Sequence, residues 1–279
     1  MKLNTNSTTS DVPGLLRRFG LRPDKRLGQN FLIEESELRK IIDIAQIGSS
    51  DTVLEIGPGL GSLTRLLAEQ SQRVVAVELD EKLIPPLKEV LSPFPNVQLV
   101  QGDILALNLD HLLGEISYRV VANIPYYITS ALIRHLLEAK AKPYQMVLTV
   151  QREVAERITA KPGDMSLLAL SVQVYGAPEV MARIPAEAFY PAPAVDSAVV
   201  RVNLYPEPIM PTGRLSFFFR LAKAGFSQKR KTLRNSLSGG MHWSPPQAEA
   251  VLRSAGIDPQ RRAETLSLEE WGKLVEVAE

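Results

Sequence analysis

Three groups of residues have the types and spacing to do chemistry. The first is Gly57-Pro58-Gly59-Leu60-Gly61, which follows the β-rich run Thr52-Val53-Leu54-Glu55-Ile56 and precedes the helix-spaced Leu63, Leu66, Leu67 and Ala68. Glycine has no side chain to obstruct a ligand, so a strand ending in this loop lets the backbone and its amides approach one closely. A tight strand-to-helix turn would use the same glycines, so the loop alone is a weak signal. Glu78 closes the next strand run, 21 residues beyond Gly57. A carboxylate there can accept both hydroxyls of an adenosine ribose, which points to a nucleotide-type ligand. A dinucleotide site favours G-x-G-x-x-G, whereas the third glycine here comes one position early, at Gly61. Asp103, in Gly102-Asp103 after the third strand run, suits an adenine amino group better than a phosphate, although a turn or helix cap would also use it. Together these residues favour S-adenosylmethionine over a nicotinamide dinucleotide.

The second group is Asn123-Ile124-Pro125-Tyr126, placed after the fourth strand run, where open α/β sheets bind ligands. An amide side chain there suits methylation of an amino group on a planar ring. Hydrogen bonds from that amine to the Asn123 oxygen and the Ile124 carbonyl would localise its lone pair for attack on a sulfonium methyl. No strong base is needed, because the donor is already an electrophile and the excess proton can leave to water. Tyr126 could stack on a base taken out of its own stack. Downstream, Phe189-Tyr190-Pro191-Ala192-Pro193-Ala194-Val195-Asp196-Ser197 is a loop stiffened by proline, with Phe189 as a second possible stacking face or a buried anchor.

The third group is basic. The chain carries 32 basic and 31 acidic residues, net +1, but no acidic residue lies between Ile209 and Ala248. Arg214, Arg220, Lys223, Lys229, Arg230, Lys231 and Arg234 all fall in that stretch. A merely solvated face intersperses both signs, so Lys229, Arg230, Lys231 and Arg234 are candidates for RNA phosphate contacts. A second basic cluster, Arg17, Arg18, Arg22, Lys25 and Arg26, lies before the first expected helix.

The elements that must position these groups alternate. Strand runs at Thr52–Ile56, Arg73–Glu78, Val97–Val100, Tyr118–Ala122 and Gln145–Val150 are separated by helix-spaced stretches, which predicts a parallel sheet covered on both faces. Val180–Ile184 and Ala198–Leu204 have no clear helix between them and predict an antiparallel pair at one edge. Beyond Pro206, Pro208 and Pro211 only helical spacing remains. The expectation is a methyltransferase domain over residues 12–207, a helical domain over 208–279 and a disordered polar tail over 1–11. Zero cysteines exclude thiol chemistry and Cys-ligated metal, and the three histidines are too scattered for a metal site, so no metal is expected. No apolar run reaches the ~18 residues a membrane span needs, and no secretory signal precedes the domain; a cytoplasmic monomer is expected.

With Leu27-Gly28-Gln29-Asn30-Phe31-Leu32, the Glu55–Gly61 loop, Val77-Glu78-Leu79-Asp80, Gly102-Asp103, the Asn123 tetrapeptide and the Phe189 loop in view, the chain resembles the small-subunit ribosomal RNA adenine dimethyltransferase A family. The resemblance spans about Leu27 to Trp271. It implies an α/β fold, a Rossmann-like seven-stranded methyltransferase domain with a small all-helical domain behind it. It further implies transfer of two methyls from S-adenosylmethionine to each of two adjacent adenosines in the 3′-terminal hairpin of small-subunit rRNA, in RNA or a precursor particle, during ribosome biogenesis. Carried onto this sequence, Asn30 and Leu32 border the donor, Gly57 and Gly59 lie against it, Glu78 holds its ribose and Asp103 its adenine. Asn123 touches donor and target, with Pro125, Tyr126 and Phe189 completing the catalytic set. Erythromycin-resistance methylases of large-subunit RNA share most of the N-terminal motifs; Phe226–Asn235 and Arg262–Leu266 resemble the small-subunit family instead. A non-catalytic RNA-binding assembly factor of the same fold is the rival from another class, disfavoured by the intact Asn123 tetrapeptide and Glu78.

Overall fold

Val74, Val75, Ala76 and Val77 are all buried, as are Val53, Leu54 and Ile56 one strand away. A run without alternation is what a strand covered on both faces requires. The structure, a computed structural model, describes residues 11–114 and 116–278. In chain order its elements are α1 (Val12–Arg18), β1 (Phe31–Leu32), α2 (Glu35–Ala45), β2 (Thr52–Ile56), α3 (Ser62–Gln70), β3 (Arg73–Glu78), α4 (Ile84–Leu91), β4 (Val97–Gln101), α5 (Leu109–Leu113), β5 (Tyr118–Asn123), α6 (Thr129–Glu138), β6 (Gln145–Gln151), α7 (Arg152–Ile158), α8 (Leu167–Gln173), β7 (Gly176–Ile184), β8 (Phe189–Tyr190) and β9 (Ser197–Leu204). Four helices follow: α9 (Leu215–Phe226), α10 (Leu233–Met241), α11 (Pro245–Ser254) and α12 (Leu268–Ala278).

The main sheet has seven strands in the order β4-β3-β2-β5-β6-β9-β7. The five from β4 to β6 are parallel, and β9 runs antiparallel to β6 from Gln145↔Asn203 to Gln151↔Ser197. Chain order reverses at β2, which has β3 on one side and β5 on the other. The carboxyl ends of β2, β3, β4 and β5 therefore open on one crevice, the place where such sheets bind ligands. One face of the sheet is covered by α2 and α3, whose Leu38, Ile41, Ile42, Leu63, Leu66 and Leu67 pack with Val53, Val74, Val121 and Val147. Each such side chain contributes roughly 1.5–3 kcal/mol by leaving water.

The long strands stand where their residues predict them, while the short elements do not advertise themselves. Helix α1 holds only seven residues and includes Pro13 and Gly14; Asp11 caps it by accepting the Gly14 amide at 2.8 Å, and Val12 and Leu16 anchor it on Phe31, Leu60 and Leu83. The expected tail over residues 1–11 lies outside the described residues except for this cap. Strands β1 and β8 pair in a separate two-stranded sheet, Phe31↔Tyr190 and Leu32↔Phe189, with too few residues for any periodicity.

The chain divides into two compact units, one of residues up to Ala155 with Glu179–Leu204, the other of Glu156–Pro178 with the residues from Tyr205 on. The single boundary expected near Glu207 thus omits an excursion. Within the second unit Val174 and Tyr175 accept the amides of Ile209 and Tyr205 at 2.9 Å each, and Gly163 and Met165 both donate to the Glu264 carbonyl. These bonds, with buried Leu168, Ala169, Leu170 and Val172 on α8, bind the excursion to the helices downstream. That unit's core centres on the fully buried Trp271, stacked on Phe226 with ring centroids 6.0 Å apart.

Two glycines of the helical unit make opposite predictions. An alanine in a helix interior normally gains about 0.5–1 kcal/mol over glycine. At Gly239 a Cβ would meet only Gln228 Nε2 at 3.7 Å, so Gly239→Ala should stabilise by roughly that amount. At Gly225 it would lie 2.6 Å from Trp271 Cη2 and 3.2 Å from Leu233 Cδ1, so Gly225→Ala should destabilise by about 1–3 kcal/mol despite the better helix propensity. Urea unfolding of the two variants checks both signs.

Candidate active site

The glycine loop turns sharply out of β2. Gly57, Gly59 and Gly61 have φ of 69°, 60° and 83°, the left-handed region that side chains resist. A Cβ on Gly59 would also press on the Phe31 ring at 2.9 Å, so close approach as well as backbone angle requires glycine there. Gly57 N–H donates to the Val77 carbonyl at 2.9 Å, and Gly59 N–H donates to Glu78 Oε2 at 3.0 Å. The other carboxylate oxygen, Oε1, accepts the Asp80 amide at 2.8 Å. Each oxygen of Glu78 is thus held by a backbone amide, and the Leu79 amide also favours the ionised carboxylate.

Asp103 begins the turn after β4. Its Oδ1 accepts the Leu105 amide at 2.9 Å, the turn use that its residue type allows, and Oδ2 makes no hydrogen bond among the described residues. Asn123 ends β5 opposite Thr149, and its amide nitrogen donates to the Asn30 carbonyl at 3.2 Å while Asn30 Nδ2 donates to the Gly28 carbonyl at 3.1 Å. The Asn123 side-chain oxygen accepts nothing among the described residues, and the Ile124 amide is held by the Thr149 carbonyl. The oxygen can accept a new donor, while the spent amide fixes the backbone beside it. Tyr126 is half-buried, its hydroxyl 2.7 Å from Ser197 Oγ, which fixes the ring.

Asn30, Leu32, Gly57, Gly59, Glu78, Asp103, Asn123, Pro125 and Tyr126 all line one cleft of about 260 Å³. Phe189 does not. It is 3% exposed, pairs with Leu32 across the β1–β8 ribbon and packs into the core beneath α2, so the expected stacking face is a buried anchor. The cleft also takes residues that the sequence reading did not single out as site residues. Gln29 accepts the Asp24 amide at 2.7 Å and donates to Asp80 Oδ2 at 2.8 Å, tying the segment before β1 to the end of β3. Tyr127, 56% exposed, stands beside Gly28 at the cleft. Its position directly after the tetrapeptide could have been a clue, and Ser197 closes the proline loop that begins at Phe189.

Glu55 also lines the cleft. It is 1% exposed, and its Oε2 has no hydrogen-bond partner among the described residues. Burial pushes this carboxyl up to about 8; the Thr64 hydroxyl opposes the rise and the Glu78 charge adds to it. Burial likewise raises Glu78, against the Asp80 and Gly59 amides, which favour its ionised form. Burial thus raises both carboxyls on these neighbouring strands, and Glu55, the one pushed up to about 8, is protonated at neutral pH.

The basic candidates lie in the helical unit. Lys229, Arg230 and Lys231 are exposed in the turn between α9 and α10 and make no ion pair among the described residues. Helix α10 starts only at Leu233, so all three precede it. Arg234 differs from its neighbours: it is partly buried and meets Glu249 at 3.2 Å, a carboxylate that also receives Arg253 at 2.8 Å. Glu249 lies just beyond the acid-free stretch, and helix packing brings it back.

A family model described as ribosomal RNA adenine dimethylase matches residues 20–279. The chain is 49% identical over 269 residues to the ribosomal RNA small subunit methyltransferase A of Dehalococcoides mccartyi strain CBDB1, covering 96% of this chain and 92% of the relative. It is 41% identical over 283 residues to the protein of the same name from Moorella thermoacetica, covering 98% of each. Among solved structures it is similar to the 23S rRNA methyltransferase ErmE, with a TM-score of 0.72 and 29% identity over 89% of this chain and 99% of that one. A dimethyladenosine transferase from Plasmodium falciparum gives a TM-score of 0.75 and 27% identity over 88% and 95%.

The neutral Glu55 has a measurable consequence. A carboxyl raised in the folded state stabilises fully below its unfolded value of 4.5, and that contribution is lost as pH rises through about 8. Glu55→Gln should flatten the fall in stability between those limits and exceed the parent at pH 8 by about 1 kcal/mol or more. Denaturant unfolding across that pH range measures it.

Proposed function

The chain belongs to the ribosomal RNA adenine dimethylase family and is an rRNA adenine dimethyltransferase; we propose that it moves methyl groups from S-adenosylmethionine to two adjacent adenosines in the 3′-terminal hairpin of small-subunit (16S) rRNA. The observation that carries this reading is the meeting of the glycine loop, Glu78, Asp103 and the Asn123 tetrapeptide in one cleft. The donor fits these residues: a buried acceptor for ribose hydroxyls at Glu78, a free carboxylate oxygen for an adenine amine at Asp103, and a backbone without side chains at Gly57 and Gly59. Asn30 and Leu32 close the side of the cleft formed by β1.

The donor supplies an electrophilic methyl, and the protein's work is placement. The uncommitted Asn123 oxygen and the Ile124 carbonyl accept the two N–H groups of the target amine, turning its lone pair toward the methyl. Pro125 fixes the turn between those acceptors and the Tyr126 ring. Tyr126, anchored through Ser197, offers the stacking face that Phe189 does not. The excess proton leaves to water. Small-subunit RNA is favoured over large-subunit RNA by the near-full-length match to small-subunit methyltransferases at 49% identity, against 29% for ErmE.

Methyl incorporation into unmethylated small-subunit particles, with the large-subunit RNA in parallel and the modified base mapped, tests the substrate. Asn123→Ala should lower the single-turnover rate by at least about tenfold at saturating donor, since hydrogen bonds that position the amine act mainly in the transition state. RNA binding should survive that change.

Phosphate contacts release counterions, so each one lost flattens the log–log salt dependence of RNA binding by up to about one unit. Replacing Lys229, Arg230 and Lys231 together with Gln should lower the slope by up to about three, and adding Arg234→Gln should change it less than any of the three, because its charge is already met by Glu249. Binding to rRNA at several salt concentrations gives the slopes, and donor affinity should stay constant.

A further inference from the structure

The acid-free stretch holds a second feature beside the Lys229–Lys231 turn. At the end of α10 the chain reverses through His242, which has φ of 58°, and presents Met241, His242 and Trp243 toward Phe217 and Arg220 of α9. Together with Gly240 these residues line a surface groove. Helices α9 and α10 meet closely there, since a Cβ on Gly240 would lie 2.5 Å from the Ala224 Cβ. Trp243 is held at both ends of its backbone: its N–H donates to the Ser238 carbonyl at 3.1 Å, and its carbonyl accepts the Ser238 hydroxyl at 2.7 Å. The indole is nonetheless only partly buried, in contrast to Trp271 in the core. Arg220 is exposed and lies over the Phe217 ring at 4.8 Å, without a carboxylate partner among the described residues.

We propose that this groove is a second RNA subsite, in which an unpaired base of the rRNA stacks on Trp243 while Arg220 meets an adjoining phosphate. The inference rests on the rRNA reading above and adds to it a site that charge alone does not define. A partly exposed, rigidly held aromatic with a free guanidinium and no acidic residue in its stretch of chain is the combination that single-stranded nucleic acid uses: a π-face for the base and a cation for the backbone. The ring of Phe217 orients that cation. An apolar protein partner would leave Arg220 desolvated without a counter-charge, which disfavours that occupant.

The test uses the full chain with two probes, unmethylated small-subunit rRNA transcript and a short single-stranded oligoadenylate. Both should quench tryptophan emission, and Trp243→Phe should abolish the quench, since Trp271 is fully buried. Trp243→Ala should weaken rRNA binding by about 5- to 150-fold with the salt slope unchanged, as expected for loss of one stacked base. Trp243→Phe should remain within about threefold, and Arg220→Gln should flatten the slope by up to one unit. Unchanged S-adenosylmethionine affinity and thermal unfolding show that each variant is folded; if the alanine variant is not, the quench and its loss in the phenylalanine variant decide. Full rRNA affinity in Trp243→Ala, or emission unaltered by either RNA, overturns the subsite while leaving the rRNA reading intact wherever the Lys229–Lys231 variant still loses slope. Failure of the parent chain to bind rRNA overturns both.

Discussion

The hydrogen bond from the Gly59 amide to the Glu78 carboxylate is the contact on which the rest of the cleft depends. It joins the loop after β2 to the end of β3 in a buried setting, where leaving either group unmet would cost about 1–3 kcal/mol or more. It also places Gly59 under the Phe31 ring, which is why that position has no room for a side chain. Phe31 in turn joins the apolar group that seats α1, and its strand pairs with β8. A single interaction therefore connects the glycine turn, the buried Glu78 carboxylate and the segment that walls the cleft.

The same place shows how one sheet accommodates two acids. Glu55 and Glu78 sit on adjacent strands, and their charges interact. Glu78 receives two amide hydrogen bonds, which favour its ionised form, while Glu55 is almost fully buried with one oxygen unpartnered. The amides favour the ionised form of Glu78 and burial keeps Glu55 neutral, which lessens like-charge repulsion between the two strands.

What was legible in the sequence follows from how each feature is encoded. The strands β2, β3, β5 and β6 are largely apolar runs and the main helices carry an apolar stripe, so pattern alone located them, and their order located the crevice. The strand-end residues that meet in the cleft were legible for the same reason. Phe189 was ambiguous because a bulky apolar residue beside prolines reads equally as a stacking face and as an anchor, and only its pairing with Leu32 decides. Arg234 looked like its neighbours because its partner Glu249 lies one helix further on, and an ion pair formed by packing leaves no local trace. The excursion over residues 156–178 was hidden likewise: its ties to Ile209, Tyr205 and Glu264 are backbone hydrogen bonds, which no side-chain pattern reports.

A chain whose 32 basic and 31 acidic residues nearly cancel can attract a polyanion only through their distribution. The whole chain is nearly neutral, so its long-range field does not select a polyanion, and attraction depends on a stretch from which carboxylates are missing. Charge of that kind binds any phosphate backbone and weakens with salt. An aromatic face held by its own backbone contributes a different quantity, insensitive to salt and available only where a base is unpaired. With the proposed subsite, pairing the two in one helical unit would let the basic turn set affinity while the stacking surface discriminates between a continuous duplex and RNA with exposed bases.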